Sequence, residues 1–411
     1  MEQKAAKTNH PYRSTGEYLL HLMACALNGH TPQAKPETVS WEKIWDLAAH
    51  SNVESIAWPA VKLMKDSMPE KDYKRWEHAG NAVFYRQLQF DVEREAILGR
   101  MSEEGLSYLP LKGILLKDYY PAPGMRYMCD NDILYGLTEK DPAGGYKIYG
   151  SSEEEKEESK GRAQQILCEI MKERDYCVEQ LHSNHDVFQK EPIFNFEMHK
   201  DLMMKYNPLY AYYANPWKRA VPDEKDRTGY GYHFSDEDEY IYFLVHAYKH
   251  YSGGGCGIRT LADEYVFMKK KGERLDRTYL QKELETLKLT AFEKQLRYAS
   301  MHAFAKEVSL TEEDRKVIGY MMGSGTYGNL GNSVNNKLTK LKEDAGDNKK
   351  AKRRYMFRRI WVSEETMKAG FPFFYKHRFF RIFLPFYRFG RGMIIDPKRL
   401  LNEYKSVKKY K

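Results

Sequence analysis

Cysteine is scarce in this chain: five in 411 residues, at positions 25, 129, 168, 177 and 256, with no CxxC pair. An odd, scattered set argues against a disulfide framework and a structural zinc, and is expected of a chain kept in a reducing cytoplasm. Long apolar runs are missing too. No stretch approaches the ~20 residues needed to cross a bilayer, and the polar start MEQKAAKTNHPYRS lacks the apolar segment of a signal peptide. There are no internal repeats. No Ser/His/Asp or Cys/His set points to hydrolysis by a nucleophile. GSGTYG at 323–328 has the form GxGxxG but follows a helical pattern instead of a strand, so it reads as a helix end and loop. GGGCG at 253–257 lacks the Lys-Ser/Thr of a Walker turn and reads as a flexible loop.

What is present suits a folded chain. Hydrophobic residues make up 42% and aromatics 14%, including 32 tyrosines, enough for a sizeable core in two or three domains. The net charge of +8 is unevenly placed. Nineteen Lys/Arg against four Asp/Glu in residues 349–411 give that segment +15, which leaves the other 348 residues near −7. Such asymmetry points to an acidic partner, nucleic acid or an anionic surface, or else to a solvated tail.

Four regions follow from the patterning. Residues 1–105 read as helical: STGEYLLHLMACALNG runs from a cap at Ser14 or Thr15 to a stop at Gly29, Pro59 is expected to start a new helix, and a long helix ends at Gly105. Residues 106–205 change character, with a short apolar strand, a Lys112-Gly113 turn, a second strand carrying Asp130 and Asp132, a helix whose capping box pairs Ser151 with Glu154, and two strand-like runs around Glu191-Pro192. Residues 206–345 are helical again, and 346–411 form a basic aromatic tail.

The acids of the second region carry the chemistry. On an extended strand, positions 130 and 132 share a face roughly 6–7 Å apart. Two carboxylates so placed repel, and an apolar core would not tolerate them. A divalent cation such as Mg²⁺ resolves the conflict and keeps positions open for phosphate oxygens. In FNFEMHK the alternation puts Asn195, Glu197 and His199 on one face and Phe194, Phe196 and Met198 on the other, so Glu197 can complete a three-acid site with His199 beside it. The alternative is a DND turn with a surface Glu197. Lys112-Gly113 fits a phosphate subsite, Gly admitting close backbone approach and Lys adding charge, or else a simple turn. His246 and His250 stand at i, i+4 beside Lys249, a spacing that can bind zinc, but the Glu of HExxH is missing. Arg259 and Asp263, also four apart, match a helix ion pair.

The order LPLKGILL, GMRYMCDNDILY, NFEMH resembles the uncharacterised nucleotidyltransferase family of the polymerase-β-like superfamily. The resemblance extends to WEKIWDLAAHSNVESIAWPAV, HSNHDVF, FLVHAYKH, IRTLADEY and GSGTYGN. It implies an α+β fold: a small polymerase-β-like core with a mixed sheet, flanked by helical regions. It implies transfer of a nucleoside monophosphate from a nucleoside triphosphate, such as ATP, to an acceptor hydroxyl on a sugar, small molecule, RNA or protein. Asp130, Asp132 and Glu197 would hold two Mg²⁺ (or Mn²⁺) ions. Lys112, Gly113, Arg126, Lys249 and His250 would meet the nucleotide, with His199, His246, Arg259 and Asp263 around them. The superfamily's Gly-Ser turn is here Lys112-Gly113-Ile114, so Lys112 and Arg126 stand in for the serine. Two other functions fit the same residues: a degenerate fold that binds nucleic acid or a membrane surface through its tail, and a toxin-like enzyme that modifies RNA or protein.

Overall fold

The computed structural model describes residues 14–181, 184–205, 207–305 and 310–410. The chain divides into two units, one of residues 1–245 and 258–318, the other of residues 246–257 and 319–411.

The first unit opens with helices α1 (Thr15–Asn28), α2 (Trp41–Ser51), α3 (Glu54–Val61) and α4 (Glu70–Glu103). Ser14 caps α1 by accepting the Glu17 N–H, and Gly29 ends it at φ +70°. Pro59 does not start a helix: α3 begins at Glu54 and carries Pro59 inside. The ring removes one intrahelical hydrogen bond, and the helix stops within a turn of it. Helix α4 buries Tyr73, Trp76, Gly80, Val83, Gln87, Phe90, Arg94, Ile97 and Met101, spaced alternately by three and four, so one stripe of it faces inward along its whole length. Gly80 is required there, because a Cβ would lie 2.3 Å from the Trp58 ring.

A five-stranded sheet follows: β1 (Ser107–Pro110), β2 (Asn131–Gly136), β5 (Cys177–Leu181), β6 (His185–Lys190) and β7 (Phe194–His199), in the order β1-β2-β7-β6-β5, with β3 (Thr138–Lys140) and β4 (Tyr146–Ile148) forming a separate hairpin. The pair β2–β7 is parallel and the other pairs are antiparallel. Between β1 and β2 lies the single turn α5 (Gly113–Leu116), and the crossover carries α6 (Glu153–Glu173). The capping box of α6 is one residue later than the sequence suggested. Ser152 accepts the Glu155 N–H, while the Glu155 carboxylate receives the N–H groups of both Ser151 and Ser152. With serine at 151 and 152 and glutamate at 153–155, either register satisfies the pattern.

The sheet has two chemically distinct faces. Ile133, Tyr135, Phe188, Phe196 and Met198 pack on Phe90, Ile97 and Met101 of α4 and on Ala163, Leu167, Ile170 and Met171 of α6. Buried among these, Asp186 accepts from Tyr135 Oη (2.7 Å), Gln164 Nε2 (2.8 Å) and Lys200 Nζ (3.0 Å). The opposite face carries the acids. The chain continues through β8 (Ala220–Pro222), β9 (Tyr232–Phe234), α7 (Asp236–Gly253), α8 (Arg259–Lys271), α9 (Arg277–Thr286), α10 (Thr290–Phe304) and α11 (Glu312–Ser324). The observed architecture is α+β, a mixed sheet between helical flanks.

Helices α7, α8 and α10 enclose a buried carboxyl pair. Tyr240 Oη donates to Glu264 Oε1 at 2.8 Å and lies 3.3 Å from Glu293 Oε1, which receives Arg297 Nε at 2.6 Å. Burial pushes the Glu264 carboxyl up to about 8. Its folded value therefore exceeds the unfolded one near ~4.3. The stability that the protonated group contributes is complete below the unfolded value and is lost as pH rises through about 8. Melting temperature should fall across that window, by about 1.4 kcal/mol of stability per pH unit crossed. Glu264→Gln should flatten the fall, and melts of both proteins from pH 5 to 9 check this; an unchanged slope refutes it.

In the second unit, α12 (Leu330–Ala345), α13 (Asn348–Ile360) and α17 (Pro397–Lys409) share a core of Val334, Leu338, Leu341, Ala351, Tyr355 and Val407. Glu403 ties α17 to α13, accepting from Tyr355 Oη (2.7 Å) and from Arg359 Nε and NH2 (2.8 and 3.1 Å). Between them run α14 (Glu364–Gly370), α15 (Pro372–Lys376), a 3-10 segment Arg378–Phe383 and α16 (Leu384–Ile395).

Candidate functional site

The site is built on the parallel strand pair β2–β7. Register places Asp132 opposite Glu197 and Leu134 opposite His199. Side chains of directly paired residues project to the same side of a sheet, and those two positions apart share a face. Asp132, Glu197 and His199 therefore converge, and each offers a ligand atom within 4.8 Å of the other two. Among the described residues this is the one trio of His, Cys, Asp or Glu side chains so gathered.

Asp132 is its centre. Its Oδ1 receives Lys112 Nζ at 2.6 Å and lies 2.8 Å from His199 Nε2, so that ring nitrogen carries the proton of the bond. Burial pushes the Asp132 carboxyl up, but the Lys112 ammonium and His199 outweigh it and hold the group well below the usual carboxylate range. Lys112 is half-buried, and Asp132 keeps it charged against the burial it does have. Asp130, half-buried, immediately precedes β2 and lies outside the close trio. Burial, and then the Asp132 charge, push its carboxyl up to about 6. The two aspartates thus differ in protonation tendency because Asp132 accepts from both Lys112 Nζ and His199 Nε2 directly.

Lys112 itself adopts φ +49°, ψ −117°, a backbone region that a non-glycine residue occupies at a cost of order 1–3 kcal/mol. The next residue, Gly113, is where α5 begins, and a Cβ there would lie 2.6 Å from Arg126 NH1. The guanidinium thus covers the turn. Its Nε and NH2 donate to the two oxygens of Asp263 at 2.7 and 3.0 Å, and Tyr120 Oη adds a 2.8 Å bond to the same carboxylate. Burial opposes the Arg126 charge, and Asp263 more than restores it. The expected Arg259–Asp263 pair is therefore not what Asp263 serves. The planar fork of Arg126 matches its carboxylate bidentately, while Arg259 NH1 donates to the Tyr127 carbonyl at 3.1 Å.

Three participants escaped the sequence reading. Arg86 on α4 donates to the carbonyls of Met128 (2.7 Å), Cys129 (3.2 Å) and Ile193 (3.0 Å), binding the approach to β2 to the approach to β7. Arg94 NH1 donates to Asn131 Oδ1 at 3.0 Å, between the two aspartates. Tyr242 on α7 is buried, and its phenol, raised to about 12 by burial, feels Lys112, Asp132 and Glu197 as its charged neighbours. Tyr242 precedes His246 by four, as His246 precedes His250, which is the signal that was available. His246, Lys249 and His250 belong to the second unit, where the two Nε2 atoms lie 3.2 Å apart.

Residues 37–143 and 160–305 match a family described as uncharacterised nucleotidyltransferase. The chain belongs to that family. No curated protein and no solved structure matches it. The family match takes in β1, the Lys112-Gly113 turn, β2, β7 and the helix bearing Asp263, and it ends before the basic tail. The carboxylates and imidazole of Asp132, Glu197 and His199 form a donor set that can hold a divalent metal ion.

Proposed function

We propose that the chain is a Mg²⁺-dependent nucleotidyltransferase that moves a nucleoside monophosphate from a nucleoside triphosphate to an acceptor hydroxyl. The supporting observation is the Asp132–Glu197 pairing across parallel strands, with His199 orienting the aspartate. Hard carboxylate oxygens suit Mg²⁺, with Mn²⁺ an alternative that also accepts the imidazole. Such ions, when bound, neutralise phosphate charge and favour ionisation of the acceptor hydroxyl.

The chain's own groups have separable roles. Asp130, Asp132 and Glu197 would ligate the metal ions, and Glu197 would take the acceptor's proton. The acceptor oxygen bonds to the α-phosphorus as the bond to the β-phosphate oxygen breaks, and pyrophosphate departs toward Lys112 and Gly113. Arg126 presents NH1 to that turn while Asp263 holds its other two nitrogens. Lys112 has a second use: its ammonium balances the Asp132 carboxylate. Phosphoryl chemistry of this kind depends on positioning and charge more than on covalent help.

The test is transfer of α-labelled nucleotide in a lysate supplied with the intact chain and Mg²⁺. A labelled RNA, protein or small molecule should appear, and Glu197→Gln should reduce it by at least ~100-fold, the scale seen when a charge-stabilising group is removed. Thermal-shift measurement with ATP, GTP, CTP and UTP identifies the base. Absence of both label and nucleotide-induced stabilisation would favour a binding module on a degenerate fold.

A further inference from the structure

The second unit exposes an apolar stripe that its own core does not use. The 3-10 segment 378–383 runs directly into α16, with Leu384 in helical conformation at the join. Along this continuous rod Phe379, Ile382, Phe386, Phe389 and Met393 recur every three or four residues, the spacing of one helix face. All five are exposed, Phe379 by 74% and Phe386 by 76%, and Ile394 beside them by 84%. The rod is nevertheless anchored. Leu384 is buried, Arg388 NH1 donates to the carbonyls of Arg359 and Ile360 at 2.7 and 3.2 Å, and Arg381 NH2 donates to the Tyr375 carbonyl at 2.8 Å. The stripe is therefore held outward by named contacts.

Charge specifies the occupant. Residues 349–411 carry nineteen Lys/Arg and four Asp/Glu, a net +15. Arg378 and Arg391 are exposed within the rod, and Arg353, Arg354 and Arg358 are exposed around Phe357 on α13. Single-stranded nucleic acid would use basic groups with flat rings on which bases stack. Here Ile382, Met393, Ile394 and Ile395 share the exposed surface with the phenylalanines, and branched or thioether side chains offer no stacking plane. Aliphatic and Phe side chains flanked by arginine are what the boundary between headgroups and acyl chains accepts. Among the described residues no helix is long and apolar enough to cross a membrane, so the rod would lie along a surface.

We propose that the 379–394 stripe and its flanking arginines dock the chain onto an anionic lipid bilayer, with the rod in the interface plane. The docking surface lies outside the family match, which ends at residue 305. It is independent of the nucleotidyl-transfer reading.

Co-sedimentation of the intact chain with vesicles tests this. Vesicles of phosphatidylserine and phosphatidylcholine should pellet the chain, and phosphatidylcholine alone should bind at least about tenfold more weakly, because the arginines supply much of the attraction. Phe386→Asp with Phe389→Asp should also weaken binding by about tenfold or more, since both side chains would leave the apolar layer. These positions are exposed, so melting temperature should stay unchanged in the double variant, while Arg353→Ser, Arg354→Ser and Arg358→Ser together should lose the preference for anionic lipid. Equal binding to both vesicle types, undiminished binding by the aspartate variant, or no pelleting at all overturns the proposal. So does retention of RNA or duplex DNA with no vesicle binding, or a dimer in solution that the aspartate variant converts to monomer.

Discussion

Asp132→Asn is expected to cut nucleotide transfer by about a thousandfold or more and to destabilise the fold at the same time. Both effects have one origin. Lys112 Nζ, half-buried, sits 2.6 Å from the buried Asp132 Oδ1, and removing the negative charge takes the directly bonded counter-ion from that ammonium. Breaking a buried pair from one side costs roughly 3–5 kcal/mol, whereas removing both charges together is often close to neutral. Lys112→Gln combined with Asp132→Asn should therefore regain most of the melting temperature lost in the single variant and none of the activity. That dissociation separates a catalytic role from a structural one. Transfer within tenfold of wild type in Asp132→Asn, or full activity in the double variant, would remove Asp132 from the reaction.

Asp263→Asn is the second large effect. Arg126 gives two of its three nitrogens to Asp263, and both side chains are buried. Loss of the carboxylate charge should again cost about 3–5 kcal/mol, a fall in melting temperature on the order of 5–15 °C for a unit of this size. Arg126→Met with Asp263→Leu should melt close to wild type, because neither partner is left charged. The same double variant should lose nucleoside-triphosphate-induced stabilisation, since NH1 over Gly113 is then absent. Nucleotide stabilisation that survives the double variant would show that Arg126 only holds the turn. Arg126→Lys should not rescue either property, because an ammonium cannot span both carboxylate oxygens.

Much of this site was legible from local pattern. The alternation in FNFEMHK separates Glu197 and His199 from Phe196 and Met198, and the sheet keeps that division, one set in the α4–α6 core and the other beside Asp132. The strand–turn–strand order at 107–136 was readable because apolar runs and a Lys-Gly break are short-range features. Long-range pairing was not. Arg259 lies four residues from Asp263 and advertises an ion pair, yet the partner is Arg126, 137 residues away, which the fold brings to Asp263 while Arg259 donates to the Tyr127 carbonyl. Arg86 gives no sequence sign of its task, since three carbonyls from two distant loops meet it only in the fold. The register of the α6 cap slipped by one because adjacent serines and glutamates made two readings equivalent. Pro59 misled because a proline tolerated inside a short helix has the same sequence as one that opens a helix. The tail was open to nucleic-acid or membrane contact, and Phe379, Phe386 and Phe389 stand exposed on the second unit.

The parallel pairing of β2 with β7 also fixes when the trio can exist during synthesis. Sixty-four residues separate Asp132 from Glu197, including all of α6 and the β5–β6 hairpin. A nascent polypeptide holds Lys112 and Asp132 long before Glu197 and His199 leave the ribosome. The lysine is then the local counter-ion available to that aspartate, and the three-residue donor set is complete only when β7 pairs with β2.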